Sequence, residues 1–305
     1  MDLVNGIYSA LIAPRDSQGK LDEASFRAEM EFILGHGIRG LVLNGATGEY
    51  CLTTADELRR MLAIARETTA GRADYCCAIG SASARECIER GRIAEQGGAK
   101  GLLLPAPHFF PYEQEDLIAY CREVATAVSL PVLLYNLPQF THNNFQPRTA
   151  MTLFREVPGI VGIKDSSGSL DTLRAMTREG LPNRIVGNDG VLAQAMREGL
   201  CDGVISGVAC AAPELLLTLY DHAVDLESEE FRKAADALAQ FVERLDGFPT
   251  PWGLKLIQDY RGILPATFSQ PLTENRVAQG RAFQDWFREW GPGAGIRPLP
   301  ARRPA

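Results

Sequence analysis

Residues 159–168 read Gly-Ile-Val-Gly-Ile-Lys-Asp-Ser-Ser-Gly. The stretch is apolar as far as Ile163, opens on a glycine and closes on a Ser-Ser-Gly turn. A strand wetted on one face would alternate apolar and polar residues. A short, continuous apolar run fits a strand covered on both faces, as in a parallel sheet sheathed by helices. Seven similar runs lie elsewhere in the chain, at residues 6–14, 40–45, 75–80, 101–106, 131–136, 184–189 and 202–207, most of them bounded by Gly or Pro.

Between these runs the apolar period changes to that of a helix. Residues 24–34 carry Phe26, Met30, Ile33 and Leu34 on one face, and residues 55–68 carry Leu58, Met61, Leu62 and Ala65. Further helical segments are predicted at 84–96, 113–128, 147–155, 170–178, 191–198 and 213–224, with Thr54 and Ser83 as N-caps. Eight strand–helix alternations predict an α/β fold, a (β/α)8 TIM barrel, over residues 1–225. An open doubly wound sheet is the alternative, but no GxGxxG follows the first run. Residues 226–290 hold three more helical segments and are expected to form a C-terminal helical appendage on the barrel or on a neighbouring subunit. Residues 291–305, rich in Pro, Gly and Arg, are expected to be a flexible tail.

The composition is that of an ordinary globular protein, 46% hydrophobic and 23% charged over 305 residues. A net charge of −7 argues against nucleic acid or an anionic membrane as a general partner, though not against a small anion in a local site. No signal peptide and no bilayer-length apolar run is read in the sequence, so a cytoplasmic location is expected. The seven cysteines include no CxxC pair and are expected to be reduced, buried hydrophobes. Four scattered histidines give no metal-ligand spacing, so no metal is expected.

Lys164 closes the sixth run. An amine set at the end of so apolar a stretch is desolvated, which lowers its pKa from about 10.4 and frees its lone pair to attack a carbonyl. A lone lysine is far more often a solvated surface charge, so the reading rests on what gathers around it. In a barrel the functional groups sit at the C-terminal ends of the strands. Alternation places Tyr135 and Leu133 on one face of the fifth run, and Lys164 and Gly162 on one face of the sixth. If both faces point inward, a phenol meets an amine and Gly162 leaves room below the lysine. The second run closes on Gly45-Ala46-Thr47-Gly48-Glu49, where successive N–H groups can point at one anion, such as the carboxylate of a 2-oxo acid.

The stretches GATGE (45–49), YNLP (135–138), GIKDSSG (162–168) and GVIS (203–206) stand in order, and together they resemble the dihydrodipicolinate synthase / N-acetylneuraminate lyase family over residues 6–290. The resemblance implies a class I, Schiff-base lyase with Lys164 as the imine-forming residue and Tyr135 as the proton carrier. It also implies a carboxylate clamp of Ala46, Thr47 and Gly48, with the main chain at Ile205 in the pyruvyl pocket. No metal or organic cofactor is implied beyond the imine on Lys164, and the expected assembly is a homotetramer, a dimer of dimers.

Three positions depart from the lysine-biosynthetic synthase of that family. Ala46 stands where a relay threonine is expected, Phe109 where a relay tyrosine is expected, and Phe140 where an arginine grips the second substrate. The expected activity is therefore an aldolase or dehydratase acting on pyruvate, a 2-keto-3-deoxy acid or a 4-hydroxy-2-oxo acid. The phenylalanines tilt the choice toward less polar partners. His108, Phe109, Phe140 and Asn188 are candidates for the second-substrate pocket, with His108 a possible acid or base. The alternatives are the synthase itself, condensing pyruvate with aspartate semialdehyde, and a non-catalytic 2-oxo acid sensor.

Overall fold

In the computed structural model, which describes residues 3–296, each apolar run becomes a strand. The strands are β1 (Gly6–Ala10), β2 (Gly40–Leu43), β3 (Asp74–Ala78), β4 (Leu102–Pro105), β5 (Val132–Asn136), β6 (Ile160–Asp165), β7 (Arg184–Val186) and β8 (Gly203–Ser206). All pair in parallel with their sequence neighbours, and β8 pairs with β1 to close the barrel. The fold is the predicted (β/α)8 barrel.

Both faces of every strand are used, which is why the runs show no alternation. Inward residues such as Tyr8, Val42, Leu103, Leu133, Ile185 and Ile205 form an axial core. Their sequence neighbours, such as Leu41, Leu102, Leu134 and Val204, face the helical shell. The shell is built from α1 (Glu23–Gly35), α2 (Ala55–Thr69), α3 (Ala84–Gln96), α4 (Gln114–Thr126), α5 (Pro138–Thr141), α6 (Pro147–Glu156), α7 (Asp171–Arg178), α8 (Leu192–Arg197), α9 (Val208–Ala211) and α10 (Pro213–Asp221). The single-turn helices α5 and α9 escape a search by periodicity because four residues show no repeat. Thr54 caps α2 as expected, accepting the Glu57 N–H at 3.2 Å. Ser83 holds the N-cap position of α3 as expected, but its side chain makes no cap bond, and its N–H donates to Ser81 Oγ at 3.3 Å.

The C-terminal helices are α11 (Glu229–Leu245), α12 (Trp252–Tyr260) and α13 (Glu274–Trp290). Their Phe241, Ile257, Phe283 and Phe287 belong to the same buried cluster as the barrel's outer face, so the appendage shares the barrel's core. The expected tail begins as ordered structure. Residues Gly291–Ala294 form a 3-10 turn, the Ile296 N–H donates to Gly291 O at 3.0 Å, and the Ile296 side chain is buried. Residues 297–305 lie outside the described residues. Among the described residues no helix is long and apolar enough to cross a membrane.

Candidate active site

The register of β5 and β6 decides the site. A register shift at Val132/Leu133 aligns Leu133 with Gly162 and Tyr135 with Lys164. The lysine amine lies over the Tyr135 ring, 4.0 Å from its centroid. Both side chains are buried, with Lys164 only 4% exposed. Of the five lysines, Lys164 and Lys255 are buried, whereas Lys20, Lys100 and Lys233 are exposed.

Burial pulls the Lys164 amine down to about 7, and the Asp189 carboxylate opposes that shift without cancelling it. Burial likewise pushes the Tyr135 phenol well above its ordinary value, and neighbouring Ser166 pulls weakly the other way. Tyr135 is therefore a phenol and not a phenolate near neutral pH. Asp189 is held at about 6, raised by burial and lowered by Ser206, Lys164 and the Val208 N–H.

Gly162 does not make room for the lysine. A Cβ there would stand 2.4 Å from Asn183 Cβ, so this glycine serves the close approach of β6 to Asn183. The room comes from Gly187, where a Cβ would lie 2.2 Å from Ser166 Oγ and 2.7 Å from Lys164 Cε. The lysine thus occupies space that the neighbouring strand end leaves free by having no side chain.

These groups open into a cavity of about 390 Å³ at the C-terminal ends of the strands. Of the candidate residues, Ala46, Thr47, Tyr135, Phe140, Lys164 and Asn188 line it. The Ala46 and Thr47 N–H groups donate to no protein acceptor among the described residues, whereas the Glu49 N–H donates to Ala46 O at 3.0 Å and closes the turn. Backbone donors are nearly always paired when buried, so two free ones in a cavity wall mark a place for an acceptor from outside the chain. Gly48 lies against the strand ends instead, with Leu11 O at 3.2 Å from where its Cβ would stand. Ile205 is fully buried in the axial core, and Gly207 and Val208 provide the cavity wall after β8.

His108 and Phe109 do not reach this cavity. They line an outer one of about 780 Å³, together with Tyr50, Cys51, Leu52, Trp252 and Phe140, which borders both. There the Tyr50 hydroxyl lies 3.5 Å from His108 Nδ1, and Phe109 is 74% exposed with a left-handed φ of 86°. The second-substrate group predicted from the sequence is thus divided: Phe140 and Asn188 meet Lys164's cavity, and His108 and Phe109 lie outside it.

The sequence reading missed several wall residues. Ser166 follows Lys164 by two and so shares its face, a signal that was available; Asp189 directly follows Asn188, beyond the end of β7, where strand alternation does not apply. Gln139 follows YNLP, and its Nε2 donates to Ser166 O at 3.0 Å. Val242, Leu245, Asp246, Phe248 and Leu254 come from the appendage, and nothing local in the sequence assigns them to the site. Among the described residues no three His, Cys, Asp or Glu side chains gather as a metal site.

Comparison with known proteins extends the picture. The sequence profile of the Dihydrodipicolinate synthetase family matches residues 3–286. The 4-hydroxy-tetrahydrodipicolinate synthase of Methanopyrus kandleri is 30% identical over 276 residues, covering 90% of this chain and 92% of that protein. A protein of the same name from Nitratidesulfovibrio vulgaris is 36% identical over 165 residues; that match spans 54% of this chain and 56% of the relative, about half of each. Among solved structures, the 4-hydroxy-tetrahydrodipicolinate synthase of Methylacidiphilum fumariolicum SolV superposes with a TM-score of 0.86 at 25% identity, covering 96% of this chain and 98% of that one. The profile match begins ahead of β1 and ends inside α13, taking in the whole barrel and its appendage, and the chain therefore belongs to the Dihydrodipicolinate synthetase family.

Proposed function

We propose that the protein is a class I lyase that forms an imine between Lys164 and a 2-oxo acid. The observation that carries this reading is a buried amine, pulled down to about 7 and lying over a phenol ring, in a cavity whose wall offers two free N–H groups. The Ala46 and Thr47 N–H groups hold the substrate carboxylate. The Lys164 lone pair attacks C2, and the carbinolamine hydroxyl takes a proton from Tyr135 and leaves as water. The resulting iminium is an electron sink. In an aldol cleavage the 4-hydroxyl gives up its proton, the C3–C4 bond breaks and its electron pair passes to the iminium nitrogen as the enamine forms. In a dehydration the C3 proton is removed, and the 4-hydroxyl then leaves. No cofactor takes part beyond the imine.

The wall also bears on substrate class. Neither cavity is lined by an arginine; Lys164's cavity offers Gln139, Ser166, Asn188 and Asp189, with Asp246 at its rim. Two acidic groups repel a second carboxylate and accept hydroxyl protons. A substrate with one carboxylate and hydroxyls beyond C3, a 2-keto-3-deoxy acid, fits this wall better than aspartate semialdehyde. This also tempers the tilt toward apolar partners, since of the two phenylalanines only Phe140 borders the inner cavity. The names of the relatives favour the synthase as the second reading. A homo-oligomer, expected as a tetramer, accords with the exposed Leu52, Phe109 and Phe110, at 44%, 74% and 59% exposure.

Borohydride reduction after incubation with pyruvate tests the chemistry, and peptide masses locate the adduct. The Lys164 peptide should gain the reduced pyruvyl mass, and Lys164→Ala should lose it. An unmodified Lys164 peptide from folded protein, or an adduct on Lys255, overturns the assignment. Turnover of aspartate semialdehyde with pyruvate at a rate matching that with hydroxylated 2-oxo acids would restore the synthase.

A further inference from the structure

The second buried lysine takes no part in the chemistry above. Lys255 lies in α12, is 1% exposed, and its Nζ donates to Glu49 Oε2 at 2.5 Å. Glu49 is the last residue of the Gly45–Glu49 turn and is itself only 9% exposed, in a left-handed conformation at φ 52°. Its other oxygen accepts the Ser269 hydroxyl at 3.1 Å. The turn that presents the free Ala46 and Thr47 N–H groups is thus tethered at its end by a residue 206 positions further along the chain.

A Cβ on Gly207 would meet Leu254 Cδ1 of α12 and Thr47 Oγ1 of the turn, each at 3.2 Å, so both side chains flank Gly207 at the cavity wall. One turn further along α12, Gln258 Nε2 donates to Glu29 Oε1 at 2.8 Å and to Cys210 O at 2.9 Å. Glu29 in turn accepts the Ile12 N–H at 3.0 Å. Glu29 is fully buried, and burial pushes its carboxyl up to about 8.

Stability is a poor explanation for such a pair. Two charges taken out of water lose about as much as their attraction returns, and well-packed apolar residues of similar size often do as well. What the pair supplies is direction: a short, fixed link between α12 and the turn. We propose that Lys255 is a positioning residue for carboxylate recognition, holding the turn through Glu49 so that the Ala46 and Thr47 N–H groups converge on the substrate carboxylate. The proposal rests on reading the cavity as a 2-oxo acid site, and it makes α12 part of the apparatus that selects a carboxylate.

The test separates recognition of the carboxylate from imine chemistry. Lys255→Met alone strands a buried carboxylate, so the paired change Lys255→Met/Glu49→Gln, which removes both charges, carries the experiment. Far-ultraviolet circular dichroism checks the fold, and borohydride trapping is then titrated with pyruvate and with acetone, a ketone that has no carboxylate. Half-saturating pyruvate should rise by about ten- to a hundredfold, the scale of a misplaced binding group. Trapping of acetone on Lys164 should be unchanged. Equal weakening with both ketones, or an unaltered pyruvate titration, overturns the proposal. Ser269→Ala gives a second arm at an exposed residue: loosening one tether of Glu49 should raise half-saturating pyruvate by about two- to threefold, and wild-type values there also count against the proposal. If wild-type protein traps neither ketone, the reading of the cavity fails first, and the Lys255 proposal with it.

Discussion

At the residue scale, Lys164 trades stability for reactivity. In the unfolded chain its amine titrates at its ordinary value of 10.5, and in the fold at about 7. Between these values the unfolded chain binds the extra proton, so stability rises with pH across that window, and the penalty is complete below about pH 7. Lys164→Met should therefore stabilise the protein at pH 7 by about 2–4 kcal/mol, with the gain shrinking toward pH 10. Urea melts at both pH values check this, and a variant no more stable than wild type at pH 7 would contradict the burial argument. The same titration governs imine formation, which should rise about tenfold per pH unit below pH 7 and flatten above it. Tyr135→Phe keeps the ring under the amine and removes the proton carrier. Turnover should fall by about 10²–10⁴-fold while pyruvate is still trapped, and an unchanged rate removes Tyr135 from the mechanism.

At the element scale, strand ends do the positioning. Lys164 and Tyr135 meet because β5 and β6 come into register after the shift at Val132/Leu133. Asn136 at the end of β5 donates to Asp165 at the end of β6 at 3.3 Å, and Asp165 accepts the Ser167 N–H at 2.9 Å, which fixes the two ends together. The vacant side-chain position on Gly187 after β7 is what admits the lysine. Gly187→Ala should thus displace Lys164 and Ser166. The methyl cannot fit without moving one of them, and an error of that size at a reacting atom costs about 10²-fold in rate. A steady-state assay beside a thermal melt checks it; a variant with full activity would show that the lysine has space the structure does not reveal. Gly162→Ala should instead strain the approach of β6 to Asn183, so its loss should be read mainly in stability.

At the scale of the whole molecule, barrel and appendage form one unit. Phe241 of α11 is fully buried, with its ring 5.7 Å from that of Phe287 and 6.0 Å from that of Trp290, and it joins the cluster that covers the outer face of the barrel. The next residue, Val242, lines the cavity that holds Lys164. Phe241→Ala should cost about 3–5 kcal/mol through lost burial and the void left behind. It should lower one common unfolding transition, followed by tryptophan fluorescence for the appendage and by loss of imine trapping for the barrel. Two separated transitions would show that residues 226–290 fold independently. The boundary drawn at residue 225 from the sequence marks the end of the barrel's last strand–helix unit and not the edge of a core.

The sequence by itself determined the eight strands, their order, most helix spans and the pairing of Lys164 with Tyr135. Each follows from a local rule: apolar runs buried on both faces, a helical period, and alternation along neighbouring strands. Ser166, two beyond Lys164, was legible by the same alternation and was missed. Only the tertiary structure decided which glycine makes room for the lysine, that His108 and Phe109 open onto an adjoining outer cavity, and that the C-terminal helices complete the wall. The reason is one of range. Strand period and helix period act over a few residues, whereas the contacts of Gly187 with Lys164, of Val242 with the cavity and of Lys255 with Glu49 join parts of the chain brought together only when the barrel closes.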